Sequence, residues 1–180
     1  MNAERRVKLF NNGGNRAIRI PKDFEFAGDE ATIRKDGDRL IVEPVRHWML
    51  DTNVLSDVVR SPQGVVAQRI AAVGQSNVSI SIVVAAELRF GVENRASDRL
   101  RRQVDAVLSG IEIEPLVEPV DREYAKLRAA LKRRGTPIGP NDLLIAAHAL
   151  ARGAVLVTAN RDEFSRVEGL ALENWLDATA

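Results

Sequence analysis

The sequence predicts an α/β domain, a parallel sheet with helices on both faces, preceded by a small all-β domain. Short apolar runs alternate with helical stretches after Trp48, whereas about the first 45 residues hold only short strand candidates separated by turns. Of the 180 residues, 45% are hydrophobic and 28% are charged, which is an ordinary globular balance and excludes a wholly disordered chain.

The all-β domain is predicted to contain two hairpins. Strand candidates over 7–10 and 17–20 flank an Asn-Asn-Gly-Gly-Asn turn. A second pair over 31–34 and 39–43 surrounds an Asp-Gly turn, and a further turn is expected near Pro21.

The α/β domain is predicted from five strand candidates, at 48–50, 77–82, 111–116, 153–158 and 171–174. Apolar residues recur every four positions over 98–109 and over 121–134, where Asp121 is the expected N-cap. Residues 142–152 are almost wholly apolar and predict a buried helix. Strands that alternate with helices form a parallel sheet. We expect the domains to be 1–46 and 49–180.

Charge is distributed unevenly along the chain. Residues 1–24 carry a net charge of +4, whereas residues 49–180 carry −1. A basic end on a near-neutral body suggests contact with a polyanion, although a solvated charged face explains the charge alone more simply.

Composition excludes several classes of site. The chain has no cysteine, which excludes disulfides and thiolate zinc sites and fits a reducing compartment, and its two histidines leave little room for histidine metal sites. No apolar window of about 18 residues predicts a membrane span, and no signal peptide is recognised. We therefore expect a cytoplasmic protein with no membrane partner.

Acidic residues follow several of the predicted strands. Ligands of parallel sheets bind outside the carboxyl ends of the strands. The candidates at that rim are Asp51, Glu87, Asp142, Asn160, Asp162 and Glu163. Carboxylates that meet there would repel one another, and a hard cation such as Mg²⁺ or Mn²⁺ would relieve the repulsion and activate water on a phosphodiester.

Helix capping is the competing explanation for each carboxylate alone, because 25 acidic residues occur in the chain. Asp51 is expected to be the least cap-like, since it directly follows an apolar strand.

Four runs in 49–180, in order, carry a family resemblance: 50–56, 86–88, 139–149 and 157–164. Together they resemble the PIN-domain toxin of a VapBC toxin–antitoxin pair. The resemblance implies a metal-dependent endoribonuclease with a five-stranded parallel sheet, in which Asp51, Glu87 and Asp142 bind Mg²⁺ or Mn²⁺. For the fourth acidic position it favours Glu163, then Asp162, with Asn160 as a polar neighbour. Transfer RNA is a candidate substrate.

Residues 8–22, continuing through 28–30, resemble the DNA-binding end of a VapB antitoxin of the swapped-hairpin, AbrB-like type. The resemblance implies an intertwined homodimer, or a higher homo-oligomer, that binds operator DNA. The implied DNA-contacting residues are Lys8, Asn12, Asn15, Arg16 and Arg19. The antitoxin segment that blocks the toxin is missing, so the chain resembles a toxin fused to a truncated antitoxin, with a full-length antitoxin as a candidate partner.

Two further features have more than one interpretation. The basic run Lys126, Arg128, Lys132, Arg133 and Arg134 either binds RNA phosphates or is a solvated helix face. His148 is expected in the core and His47 at the surface. The alternative to the enzyme is a DNA-binding repressor whose inactive or self-inhibited α/β half serves assembly only; the carboxylates favour the enzyme.

Overall fold

The computed structural model describes residues 4–25 and 31–177. It divides the chain into two compact units, residues 1–45 and residues 46–180. The family-like run at 28–30 lies outside the described residues.

The first unit consists of two antiparallel hairpins, as far as it is described. Strand β1 (Leu9–Asn12) pairs with β2 (Asn15–Ile18), and β3 (Ala31–Asp36) pairs with β4 (Arg39–Pro44). Each pair is a separate two-stranded sheet. A single 3₁₀ turn, Lys22–Phe24, follows β2 near the expected turn. These two small antiparallel sheets agree in part with the predicted all-β domain.

The first hairpin turn is tighter than predicted. Gly13 and Gly14 have φ angles of +53° and +88°, a region that glycine enters without the clash of a Cβ atom. Two such residues close a hairpin whose twist matches the strands. Consequently Asn12 pairs with Asn15 in the ladder, and both strands lie two residues closer to the turn than expected.

The second unit contains the predicted five-stranded parallel sheet. Its strands are β5 (Trp48–Leu50), β6 (Val78–Ser81), β7 (Glu112–Glu114), β8 (Val155–Val157) and β9 (Leu172–Glu173). The spatial order is β7-β6-β5-β8-β9, and every neighbouring pair is parallel. The chain leaves β5 toward one edge and returns to β8 on the other side, so β5 lies where the strand order reverses.

Seven helices connect or follow these strands among the described residues: α1 (Thr52–Arg60), α2 (Val65–Val73), α3 (Ile82–Arg95), α4 (Asp98–Ser109), α5 (Val120–Arg134), α6 (Pro140–Ala151) and α7 (Arg161–Phe164). Because parallel crossovers are right-handed as a rule, this strand order assigns α1–α4 to one face of the sheet and α5–α7 to the other. The prediction that Asp121 caps α5 is wrong, because Pro119 holds the N-cap and Asp121 lies in the first turn. There its negative charge interacts favourably with the positive end of the helix dipole.

The core is aliphatic, as the low aromatic content requires. All of β6 is buried, and residues 145–149 of α6 have no exposed surface. That run confirms the prediction of a buried helix. Among the described residues, Phe164 and Trp175 are the buried aromatic side chains of this core. Among the described residues, no helix combines the length and apolarity needed to cross a bilayer.

A buried carboxylate, Glu114, is surrounded by donors in the second unit. Its Oε1 accepts a hydrogen bond of 2.6 Å from Ser79 Oγ and lies 3.2 Å from His47 Nε2. Its Oε2 lies 2.5 Å from Arg152 Nε. The hydrogen bond from His47 most of all, helped by Ser79 and Arg152, lowers the pKa of Glu114 to about 2 despite the opposing effect of burial. The expectation that His47 is merely exposed is therefore wrong.

The second histidine, His148, belongs to the core as predicted. It has no exposed surface, and its Nδ1 lies 3.0 Å from Ser81 Oγ. Burial lowers its pKa, which favours the neutral imidazole in the core.

Glu114→Gln is expected to lower the free energy of unfolding by about 2 kcal/mol at pH 7, because it removes charge-assisted hydrogen bonds. The pKa of Glu114 is lower in the folded than in the unfolded chain, so its stabilisation is present above about pH 4.5 and is lost as the pH falls toward 2. The difference between variant and unmutated chain should shrink over that window. Urea unfolding followed by tryptophan fluorescence measures this, because both tryptophans lie in the second unit.

Glu112→Gln is the matched control, since Glu112 is an exposed residue of the same strand. Equal losses of stability in the two variants would contradict a stabilising role for the Glu114 hydrogen bonds.

Candidate acidic site

The site is built around Asp51, which directly follows the central strand β5. Its backbone N–H donates a 2.9 Å hydrogen bond to Val157 O at the end of β8. The carboxyl ends of these two strands flank the reversal of strand order, where open α/β sheets bind ligands. The Asp51 side chain is only 4% exposed there.

Three donors hold the Asp51 carboxylate. Oδ1 accepts from the Thr52 backbone N–H at 2.7 Å, and Oδ2 accepts from Asn53 Nδ2 and from Thr158 Oγ1, each at 2.7 Å. The first of these bonds makes Asp51 the N-cap of α1. The expectation that Asp51 is the least cap-like carboxylate is therefore wrong, because its Oδ1 accepts the Thr52 N–H and caps α1.

Burial dominates the protonation equilibrium of Asp51. It raises the pKa of the carboxyl, and the negative charge of Glu87 raises it further. The bonds from Thr158, Thr52 and Asn53 act in the opposite direction without cancelling burial.

Glu87 lies on α3 and is held from two other helices. Thr52 Oγ1, in the first turn of α1, donates to Glu87 Oε2, and Asn141 Nδ2, in the first turn of α6, donates to Oε1 at 2.8 Å. The carboxylate thus connects the helix that follows Asp51 to the helix that carries Asp142.

Asp142 and Glu163 form a carboxyl pair. Burial, followed by the hydrogen bond with Glu163 and the charges of Asp51, Glu163 and Glu87, raises the pKa of Asp142 to about 7. The same hydrogen bond lowers the pKa of Glu163, which also accepts the Gly139 N–H at 3.3 Å. A Cβ atom at Gly139 would lie 3.0 Å from Asp142 Oδ2, so glycine permits this close approach.

The structure separates the three candidates for the fourth acidic position. Glu163 contacts Asp142, whereas the Asp162 side chain is exposed and outside this group. Asn160 contributes its backbone N–H, which donates to Thr158 Oγ1 at 2.9 Å. The geometry favours Glu163 as the partner of Asp51, Glu87 and Asp142.

The donor set suits a hard cation, although the carboxylates are not closed around one. Within residues 4–25 and 31–177, no three His, Asp or Glu side chains are grouped closely enough to hold a metal ion together. Mg²⁺ retains several waters and is usually bound by one or two carboxylates together with substrate phosphate, so it needs no such cage. Oxygen atoms are the donors available here, which fits Mg²⁺ or Mn²⁺.

Sequence reasoning missed the neutral side chains that hold the carboxylates: Thr52, Asn53, Asn141 and Thr158. The first two directly follow Asp51, and Thr158 directly follows β8, so polar residues at the strand ends were the available signal. Asn53 also bridges these two strand ends, because its Oδ1 accepts the Ala159 N–H at 3.0 Å.

The predicted DNA-contacting residues lie on or beside the first hairpin of the first unit, and all are exposed: Lys8, Asn12, Asn15, Arg16 and Arg19. Asn12 pairs with Asn15, whereas Arg16 pairs with Asn11 one position along the ladder. Because side chains alternate between faces, Arg16 projects from the face opposite to Asn12 and Asn15.

The sequence of the second unit matches a known protein family. The model of the PIN domain family matches residues 48–170. Ribonuclease VapC2 of Rickettsia felis is 37% identical over 130 residues, covering 71% of this chain and 97% of that protein. The tRNA(fMet)-specific endonuclease VapC of Shigella flexneri is 34% identical over 129 residues, with the same coverage.

Solved structures give the same correspondence. VapBC2 from Rickettsia felis bound to a DNA fragment from their promoter contains a chain with a TM-score of 0.65 and 36% identity, covering 71% of this chain and 98% of that one. DNA-bound VapBC from Salmonella typhimurium matches with a TM-score of 0.65 and 33% identity, covering 72% and 98%.

Asp142→Asn is expected to stabilise the second unit at pH 8 without metal, by up to about 1 kcal/mol after solvent screening. The pKa of Asp142 is raised on folding, so ionisation opposes folding as the pH climbs from about 4 through 7. The gain should disappear at pH 4, where the carboxyl is largely protonated in the folded state and half protonated in the unfolded one. Urea unfolding in EDTA at the two pH values measures it.

The exposed Asp162→Asn is the matched control and should change stability little at either pH. A loss of stability in Asp142→Asn at pH 8 would contradict carboxylate repulsion at the site.

Proposed function

The chain belongs to the PIN-domain family, and from this premise we propose that its second unit is a metal-dependent endoribonuclease, the toxin of a toxin–antitoxin system. The observation that carries the proposal is the group of four acidic side chains, Asp51, Glu87, Asp142 and Glu163, at the reversal of strand order. The named ribonucleases among the relatives support it.

Asp51, Glu87, Asp142 and Glu163 would hold Mg²⁺ or Mn²⁺ directly or through water. When bound, the cation would activate water and neutralise negative charge on the phosphodiester. Asp51 is buried, with Oδ1 held by the Thr52 N–H and Oδ2 held by Asn53 and Thr158. Thr52 and Asn141 orient Glu87 in the same way, so the carboxylates are positioned before substrate arrives.

RNA is the proposed substrate class, and structured RNA is the first to test. The relative from Shigella flexneri is named a tRNA(fMet)-specific endonuclease, which makes transfer RNA a reasonable candidate for this chain. The chain has few aromatic residues, 4% of its length. Shape and electrostatics would therefore carry much of the recognition.

The first unit is proposed to be a truncated, AbrB-like antitoxin fragment that binds operator DNA as a homodimer. Its support is the net charge of +4 on residues 1–24 together with an exposed apolar surface. None of its described side chains is buried, and Leu9, Phe10, Ile18, Ile33 and Leu40 are 45–72% exposed. A hairpin pair with so little burial needs another surface to become stable, and a second copy would supply it.

The fusion is proposed to leave the nuclease active. Arg46 is the basic residue nearest to Asp51 before β5, and five extended residues span at most roughly 17 Å. The adjacent His47 lies at the amino end of β5, where its backbone oxygen accepts a 2.8 Å hydrogen bond from the Val155 N–H. Asp51 follows the carboxyl end of the same strand. Arg46 therefore lies at the wrong end of the strand to cover its own site, and a separate full-length antitoxin remains the candidate inhibitor.

A DNA-binding repressor with an inactive or self-inhibited α/β half is the second candidate function. The observation in its favour is the net charge of +4 on residues 1–24. The four carboxylates argue against it, since an assembly domain has no need to keep repelling charges together.

Asp51→Asn should abolish RNA cleavage and weaken Mn²⁺ binding while the chain stays folded, because the amide cannot supply the carboxylate charge. The assay incubates purified full-length chain with total RNA and transfer RNA, with and without Mg²⁺, and maps the cut ends. Isothermal titration with Mn²⁺ and tryptophan fluorescence report binding and folding separately.

Asp162→Asn makes the same chemical change on the exposed side of α7 and should cleave normally. Full cleavage by folded Asp51→Asn protein would refute the site, and an unmutated chain that cuts no RNA with either metal would favour the repressor.

Binding of duplex DNA by the full chain should weaken steeply with salt, because phosphate contacts release counterions. Arg16→Ala and Arg19→Ala should each reduce the slope of log K against log salt by about 0.9 for every phosphate that the arginine neutralises. Fluorescence anisotropy with labelled duplex DNA at several salt concentrations measures the slope. The exposed Arg99→Ala in α4 serves as a control, and a slope near zero for the unmutated chain would contradict the DNA-binding unit.

A further inference from the structure

A cavity of about 480 Å³ lies between α5 and α6, and the acidic site does not account for it. Its walls combine basic, aromatic and apolar side chains. The ones that matter here are Tyr124, Arg128 and Lys132 of α5 and Ile138, Pro140 and Leu143 on the opposite side. We refer to these six residues as the α5–α6 groove.

Charge in the groove has one sign. Residues 124–139 contain five basic side chains and no acidic one. Arg128 and Lys132 line the cavity and are exposed, whereas Lys126 pairs at 2.7 Å with Glu123 and does not line it. A surface of this kind complements a polyanion.

The groove also contains the chain's single tyrosine. Tyr124 is half-buried, and the Arg128 guanidinium lies 5.8 Å from its ring centroid, with Nη1 3.2 Å from the hydroxyl. An aromatic ring beside cationic side chains is the usual platform on which single-stranded nucleic acids stack a base.

The groove adjoins the acidic site through the start of α6. Pro140 lines the groove, and Asp142 follows two residues later, about 3 Å along the helix axis. Gly139, just before Pro140, donates its N–H to Glu163. One short backbone segment therefore separates the cavity from the carboxyl pair.

We propose that the α5–α6 groove binds a nucleotide of single-stranded RNA adjacent to the cleaved bond, with a base against Tyr124 and Pro140 and phosphate on Arg128 and Lys132. The inference rests on the proposed nuclease function and adds a substrate subsite to it. It also gives the basic run on α5 a role that its charge alone does not establish. Charge complementarity favours RNA over an apolar partner helix.

The test is binding of a fluorescein-labelled 12-nucleotide RNA to the full chain in EDTA, followed by anisotropy across a salt series. Arg128→Ala and Lys132→Ala should each weaken binding about fivefold to tenfold and reduce the salt slope by about 0.7, the value for one phosphate of a single strand. Tyr124→Leu should weaken binding about tenfold, whereas Tyr124→Phe, which keeps the ring, should stay within about twofold of the unmutated chain.

Arg122→Ala is the matched control, because Arg122 lies on the same helix, pairs with Glu118 at 3.7 Å and does not line the groove. It should leave RNA affinity essentially unchanged. Lys132 is exposed, so its variant remains informative if Tyr124→Leu unfolds.

Cleavage of the same RNA with Mg²⁺, run in parallel, separates the two proposals. A chain that cleaves RNA while its Lys132→Ala and Tyr124→Leu variants bind as tightly as the unmutated protein overturns the subsite alone and assigns the groove to another partner. A chain that cleaves nothing, but whose RNA binding weakens with these substitutions, keeps the subsite and overturns the nuclease.

Discussion

The arrangement of the acidic site depends on a buried carboxylate at the end of the central strand. Asp51 is 4% exposed, and burying a charge is costly unless donors replace water. Two of its donors, Thr52 and Asn53, come from the start of α1. The third, Thr158, lies 107 residues further along the chain. Satisfying that one carboxylate therefore fixes the ends of β5 and β8 and the first turn of α1 with respect to one another.

The second unit contains two acidic centres with opposite electrostatics. Glu114 is surrounded by His47, Ser79 and Arg152, and its pKa falls to about 2. Asp51 has neutral donors, both Asp51 and Asp142 have other carboxylates as neighbours, and the pKa of each carboxyl rises. The fold thus surrounds one acidic centre with hydrogen-bond donors and the cation Arg152, and leaves the other short of positive charge. A bound cation would relieve the repulsion among the carboxylates around Asp51 and Asp142. This is the physical reason to associate that site with metal and phosphate.

Much of this architecture could be predicted from local sequence, because period and turn chemistry act over a few residues. Helix α4 matches the predicted 98–109, and the five parallel strands occur where the short apolar runs placed them. The neutral donors were missed, since nothing in a single sequence shows that Thr158 reaches Asp51. The role of His47 was missed for the same reason, as its partners Ser79 and Glu114 come from other strands. The hairpin turn was misjudged because two positive-φ glycines shortened it.

The two units differ in where their stability can come from. The second unit has a complete aliphatic core around its sheet, and its acidic site is built wholly from its own elements. The first unit has no buried side chain among its described residues and exposes several large apolar ones. Burial of apolar surface contributes about 25 cal/mol per Å², so the first unit gains little of that energy from its own described residues. All described side chains of the acidic site belong to the second unit, so a substitution that disrupts the first unit need not disrupt that site.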